Sequence, residues 1–183
     1  MKPIKIEGVD IGKECPCYII AEIGVNHNGQ LSFAKKLIDA SIESGANAVK
    51  FQKRDLKSLY RKESLENPNS ESQGFEILLA ELQEVELTKN DYMEIIDYCK
   101  KKKITFLCTP WDMPSVDFLE ELDIVAYKIS SGDMTNFPLI KYVSKTRKPM
   151  IISTGMSKIE EIEKMVSFVR IQNVPFIILH ANS

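Results

Sequence analysis

Polar residues break into apolar segments at six places in this sequence, and their types suit the handling of an anion. Glu22 closes Tyr18-Ile19-Ile20-Ala21, Lys50 and Gln52 flank Phe51 after Ala48-Val49, and Thr109 follows Ile104 to Cys108. Lys128, Ser130, Ser131 and Asp133 follow Val125-Ala126-Tyr127, Ser153 and Thr154 follow Met150-Ile151-Ile152, and His180 follows Phe176 to Leu179. Singly, each has a structural alternative: a strand lysine can lay its stem along apolar surface, and a strand-end serine can cap a helix. Together, two ammonium groups and several hydroxyl donors match a phosphate plus a carboxylate. Gly132 after Ser131, and Gly155 after Ser153-Thr154, would let backbone N–H groups approach such an anion.

Histidine and cysteine add little to this chemistry. His27 sits in the turn-rich Asn26-His27-Asn28-Gly29, where packing or a loop hydrogen bond is expected rather than catalysis. With only two histidines, neither near the other, the sequence assembles no complete metal site. Cys15-Pro16-Cys17 is too tight for the usual zinc spacing, while Cys99 and Cys108 lie among apolar residues. All four cysteines read as reduced thiols.

The elements that must position these residues are short apolar runs alternating with helical patterns. Strands are expected at 18–23, 48–51, 104–107, 125–129, 149–152 and 176–179. Leu31, Ala34, Leu37, Ile38 and Ile42 make one helical face that stops at Gly45, and Tyr92, Ile95, Ile96 and Cys99 make another. Asp112 and Pro114 suit a helix entry, and Ser157 with Glu160 has capping-box spacing. Apolar strands separated by amphipathic helices are parallel strands covered by helices, so the class is α/β. Strand starts recur at about 30, 56, 21, 24 and 27 residues, near the roughly 30 per unit of a (β/α)8 TIM barrel apart from one insertion at 54–87. No glycine-rich nucleotide fingerprint follows any strand, which removes the usual open-sheet markers. Six strands do not close eight, so residues 1–183 are expected to be the N-terminal part of one barrel domain, truncated after about the sixth strand. The insertion follows a strand and so would lie on the catalytic face, as a lid or as a tolerated surface loop.

Composition sets the outer bounds. A hydrophobic fraction of 44% with 27% charged residues is ordinary for a folded globular chain, which excludes disorder and fibrous repeats. The net charge of −2 provides no general field for nucleic acid or an anionic membrane. No leading apolar segment reads as a signal peptide and no run approaches the roughly 18 residues of a membrane span, so a cytoplasmic protein is expected.

In order along the chain, Ala21-Glu22-Ile23-Gly24-Val25-Asn26-His27-Asn28-Gly29, Ala46-Asn47-Ala48-Val49-Lys50-Phe51-Gln52, Cys108-Thr109-Pro110, Tyr127-Lys128-Ile129-Ser130-Ser131-Gly132-Asp133, Ile152-Ser153-Thr154-Gly155-Met156 and Leu179-His180 resemble the sialic acid synthase family. That family includes the N-acetylneuraminate, legionaminate and pseudaminate synthases. The resemblance implies a TIM barrel that condenses phosphoenolpyruvate with the open-chain aldehyde of an N-acetylated amino sugar similar to N-acetylmannosamine. The products would be phosphate and a nine-carbon 2-keto sugar acid. By the family pattern Lys50 and Thr109 would hold the carboxylate end of phosphoenolpyruvate, and Lys128, Ser131 and Ser153 its phosphate. Glu22, Gln52 and Asp133 would face the sugar, with Glu22 the carboxylate nearest the proton traffic when water attacks C2. The resemblance also implies a divalent metal, Mn2+ or Mg2+, polarising the aldehyde oxygen, with its ligands beyond Ser183. A C-terminal antifreeze-like domain, absent here, and a homodimer of the full-length enzyme belong to the same pattern, so this chain alone is expected to be inactive.

Two departures from that pattern bear on substrate and site. Asp133 stands where the better-known N-acetylneuraminate synthases have glutamate, and Ser183 where they have asparagine. Two other readings compete with the synthase: a Schiff-base aldolase using Lys128 as nucleophile, and a non-catalytic phospho-ligand-binding fragment.

Overall fold

Continuous β-branched and aromatic runs bounded by Gly, Asn and Pro form strands here, and amphipathic segments between them form helices. In the computed structural model, residues 3–70 and 74–182 are described. The elements are β1 (Ile4–Ile6), β2 (Val9–Ile11), β3 (Ile20–Gly24), α1 (Leu31–Glu43), β4 (Ala48–Lys53), α2 (Leu56–Leu59), α3 (Lys62–Glu66), a 3-10 turn (Pro68–Ser70), α4 (Phe75–Glu84) and α5 (Lys89–Lys102). They continue as β5 (Thr105–Pro110), α6 (Met113–Glu121), β6 (Tyr127–Ile129), α7 (Phe137–Ser144), β7 (Met150–Ser153), α8 (Ile159–Gln172) and β8 (Phe176–Leu179). Two compact units share them: residues 19–106, and residues 1–18 with 107–183. All six expected strands are present, as β3 to β8.

In the unit of residues 19–106, β3 pairs in parallel with β4, and α1 packs against α5. Ala34, Ile38, Tyr92, Ile95 and Cys99 are buried from the two helices, opposite Val49 and Phe51 of the strand layer. Phe51 stacks on Phe106 with ring centroids 5.4 Å apart. Asn47 ties the strand starts together, its side-chain oxygen accepting from the Ile19 N–H at 2.7 Å and its backbone carbonyl from Thr105 at 3.1 Å. Thr88 and Asp91 form a capping box at the head of α5, which ends with Lys103 at φ 60.

In the other unit, β5 pairs with β6, β6 with β7 and β7 with β8, every pair parallel. Neighbours in space are therefore neighbours in sequence, the pattern of a barrel wall; a doubly wound sheet reverses its order part-way. Helices α6, α7 and α8 pack side by side, with Phe137 set edge-on to Phe168 at 5.0 Å. Buried Tyr127 donates to the Glu120 carboxylate at 2.6 Å, and Lys148 holds the same oxygen at 2.8 Å. Burial and that carboxylate together push the phenol far above its ordinary range.

Three details depart from the sequence reading. The N-terminal segment forms an antiparallel hairpin, β1 with β2, turned by Glu7 at φ 47 and Gly8 at φ 85. Helix α8 begins one residue later than expected: Lys158 is the cap, its N–H donating to Glu161 at 2.8 Å, while Ser157 donates its hydroxyl to the Gly155 carbonyl at 3.3 Å. The 54–87 insertion, read from the sequence as a lid or a surface loop, contains α2, α3, the 3-10 turn and α4; its residues 71–73 lie outside the described residues. The four cysteines are free thiols, and among the described residues no helix is long and apolar enough to cross a membrane.

Among the glycines, Gly29 lies closest to a neighbouring backbone. It has φ +68, and a Cβ there would fall 2.3 Å from the Glu84 carbonyl at the end of α4. Gly29→Ala is therefore expected to lower stability by about 2 kcal/mol, combining left-handed strain with displaced backbone, read as a lower urea midpoint with unchanged slope. An unchanged midpoint would contradict this contact.

Candidate active site

The parallel register places Glu22 of β3 directly beside Lys50 of β4, so both side chains leave the same face of the strand pair. Lys50 Nζ lies 2.8 Å from Glu22 Oε2; the lysine side chain is 7% exposed and the glutamate side chain 53%. An ammonium sunk this deeply costs several kcal/mol in desolvation unless an anion is supplied, and here the anion reaches in from the solvent side. The arrangement can exchange one carboxylate for another at Lys50. It would then leave Glu22 as a base beside the incoming ligand.

Gln52 belongs to the same cluster. The β3–β4 register shifts between Glu22 and Gly24, and Gly24 has φ +59. A Cβ on Gly24 would lie 3.2 Å from Glu22 Oε1 and 3.3 Å from Gln52 Nε2, so a bare backbone there lets both side chains close in. The Gln52 carbonyl accepts from Tyr92 at 2.6 Å, pinning the strand end, and Arg54 Nη2 donates to Gln52 Oε1 at 2.5 Å. Lys53 then fastens the two ends of the insertion, donating to the Arg54 carbonyl at 3.0 Å and pairing with the Glu86 carboxylate.

The unit containing residues 107–183 holds a second cluster. Lys128 of β6 is in register with Ile151 of β7, so Lys128 shares a sheet face with Ile151 and, two residues on, with Ser153. Lys128, Thr109 and Ser153 are all buried, and Lys128 Nζ donates to the Ile129 carbonyl at 2.7 Å. Ser131 Oγ accepts the Gly155 N–H at 3.0 Å, which leaves the hydroxyl hydrogen free to donate. A Cβ on Gly155 would sit 2.8 Å from that oxygen, so glycine here serves the Ser131 contact, and its N–H is engaged by Ser131 where the sequence suggested an anion contact. Asp133 is half-buried and turned into its own loop: it accepts from Ser130 at 2.6 Å and from the Asn136 amide at 3.1 Å, and Asn136 caps α7. His180 is exposed, and Ser183 lies outside the described residues.

Glu22, Lys50 and Gln52 thus stand together in one unit, and Lys128, Ser131 and Ser153 at strand ends in the other, with Thr109 buried at the end of β5. Arg54 escaped the sequence reading. It lies two residues beyond Gln52, where strand periodicity puts it on the same side, but it falls in the segment read as insertion. Among the described residues no three His, Cys, Asp or Glu side chains converge as metal ligands. The described residues alone therefore supply no complete ligand set for the divalent metal that the resemblance implies.

The sequence profile of the NeuB family matches residues 37–183. The chain belongs to the NeuB family. It is 43% identical over 156 residues, 81% of its length, to the N,N'-diacetyllegionaminic acid synthase of Campylobacter jejuni, of which it covers 45%. It is 34% identical to the human N-acetylneuraminate-9-phosphate synthase, covering 99% of this chain and 52% of that one. The chain thus spans about half the length of these curated relatives. Among solved structures, the N-acetylneuraminic acid synthetase of Leptospira borgpetersenii superposes with TM-score 0.84 at 30% identity, over 98% of this chain and 59% of that chain. A truncated 3-deoxy-D-arabino-heptulosonate 7-phosphate synthase from Thermotoga maritima, at 13% identity and TM-score 0.68, shares the fold alone. The NeuB match bears out the resemblance to the sialic acid synthase family, and the superposition on the Leptospira synthetase bears out the barrel reading of the six parallel strands.

His27 of this NeuB-family chain is a packing residue. It is 2% exposed, stacks on Phe51 at 5.8 Å, and accepts the Gly29 N–H on Nδ1 at 3.2 Å. Burial lowers its pKa below the ordinary 6.5, partly opposed by a hydrogen bond to the Gly24 backbone. Below pH 6.5 the unfolded chain binds a proton that the folded chain refuses, so this contribution is complete above 6.5 and is lost as pH falls. A proton NMR titration is expected to give His27 a midpoint under 6.5. A midpoint at or above that value would contradict the buried, neutral ring.

Proposed function

We propose that this chain carries the anion-holding and proton-handling residues of a phosphoenolpyruvate-dependent condensation with an N-acetylated amino sugar, giving a nine-carbon 2-keto sugar acid and phosphate. The observation that carries the reading is the buried Lys50 ammonium paired with the exposed Glu22 carboxylate at 2.8 Å. Family membership and the position of these residues at parallel strand ends support it.

In this reading Lys50 receives the carboxylate of phosphoenolpyruvate, and the ligand displaces Glu22 from the ammonium. Lys128, Ser131 and Ser153 hold the phosphate; the Ser131 hydroxyl donates while its oxygen is fixed by the Gly155 N–H. In the condensation C3 of the enol meets the aldehyde carbon of the sugar, and orientation of the two reactants meets much of the barrier. A C–C bond forms there, and the aldehyde oxygen takes a proton to become a hydroxyl. Water then adds to C2, giving up a proton to Glu22, and the bond from C2 to the phosphate oxygen breaks as the ketone forms. Gln52 is assigned to the sugar, while the Asp133 carboxylate is held in its own loop by Ser130 and Asn136.

Calorimetric titration of phosphoenolpyruvate into this chain tests the reading. Lys50→Ala and Lys128→Ala are each expected to weaken binding roughly 10- to 100-fold, the worth of one charge-assisted contact. Equal affinity in wild type and both variants, all folded by circular dichroism, would overturn it. Borohydride trapping with a carbonyl substrate is expected to leave Lys128 unmodified; an adduct there would favour the aldolase.

A further inference from the structure

We infer that His27 is a positioning residue that holds the bulged end of β3 in the shape that places Glu22, an inference that rests on the proposed function for what Glu22 does there. The loop after β3 is bounded by two glycines in the left-handed region, Gly24 at φ +59 and Gly29 at φ +68. Neither has a side chain to pack, so each is a point where the backbone needs an outside hold. The His27 ring ties both. Its Nδ1 accepts the Gly29 N–H at 3.2 Å, so the neutral ring carries its proton on the other nitrogen. A second hydrogen bond joins the ring to the Gly24 backbone, where the carbonyl is the acceptor for a ring N–H. The face of the ring stacks on Phe51 with centroids 5.8 Å apart, and Phe51 is the residue between Lys50 and Gln52.

Gly24 and Phe51 are also the cross-strand pair that follows the register shift after Glu22. One ring therefore bonds one member of that pair and stacks on the other, at the point where the strand leaves its regular ladder. Glu22 Oε1 lies 3.2 Å from the Gly24 Cβ position, so a turn of the Gly24 peptide changes the space in which that carboxylate sits. A ring that served only to fill space would be apolar, because an imidazole 2% exposed costs free energy unless its nitrogens are bonded. Both bonds here go to main chain, so His27 acts through Gly24 and does not touch substrate.

Two variants separate this role from simple packing. His27→Phe keeps a ring on Phe51 and loses both hydrogen bonds, whereas His27→Gln loses the ring and keeps a donor and an acceptor. In the full-length enzyme, with phosphoenolpyruvate and N-acetylmannosamine as substrates, His27→Phe is expected to lower kcat about tenfold or more. The phosphoenolpyruvate KM is expected to stay within about twofold, since Lys50 remains in β4 while Glu22 loses its setting. His27→Gln is expected to recover most of the lost rate in spite of a lower Tm. A residue that only fills space predicts the reverse order, with activity following the ring. By NMR on this chain, the Gly24 carbonyl carbon signal is expected to move in His27→Phe and to return toward its wild-type position in His27→Gln. A kcat in His27→Phe equal to or above that in His27→Gln, or an unmoved Gly24 signal in His27→Phe, would overturn the inference. Absence of turnover by the wild type would sink the proposed function instead, and the Gly24 signal would still decide the role of His27.

Discussion

A lysine ammonium held almost out of water between two parallel strands is the constraint around which the unit of residues 19–106 is arranged. The β3–β4 register sets Glu22 directly across from buried Lys50, at 2.8 Å, and so supplies a carboxylate for its ammonium. A slip of one residue between the strands would put the two side chains on opposite faces and take this carboxylate away from the ammonium. The register is in turn set where the strands begin, by Asn47 joining Ile19 and Thr105 through its side chain and backbone. Hydrophobic packing under Val49 and Phe51 then makes any alternative register costly.

From that pair outward, each neighbour is placed by a short-range requirement. Gly24 must lack a side chain for Glu22 and Gln52 to approach, and Gly29 must lack one for the end of α4 to reach the loop that carries His27. The insertion is thereby attached twice, through Gly29 against Glu84 and through Lys53 against Glu86, and its flanks are parts of the site's framework. The unit containing residues 107–183 uses the same devices: Gly155 admits Ser131, and the Ser130–Asp133–Asn136 chain joins a site loop to the cap of α7. In both units glycine conformations and loop hydrogen bonds convert strand ends into fixed side-chain positions.

Much of this was legible in the sequence, for physical reasons that also explain what was not. The six strands and the helices α1, α5 and α8 follow from apolar period, because burial and periodicity are one and the same requirement there. Asp112 is the cap of α6 as expected, its carboxylate accepting the Ser115 N–H at 2.7 Å. The α8 cap moved from Ser157 to Lys158 because Glu161 supplies the acceptor that the cap side chain cannot, and Ser157 is drawn to Gly155. The β1–β2 hairpin was hidden because three-residue strands are shorter than any reliable alternation. Lys50 and Glu22 were legible as chemistry, but their mutual pairing was not, since it depends on register; Arg54 was lost because its partner lies across an element boundary.

The central claim is that Glu22 occupies Lys50 as a replaceable counter-ion and then serves as the base. Glu22→Gln tests it most directly, by pairing a phosphoenolpyruvate affinity measurement with a turnover assay in the full-length enzyme. The account predicts affinity equal to or tighter than wild type, because Lys50 is released from its carboxylate, together with turnover reduced at least a hundredfold. Weakened phosphoenolpyruvate binding, or turnover close to wild type, would contradict it.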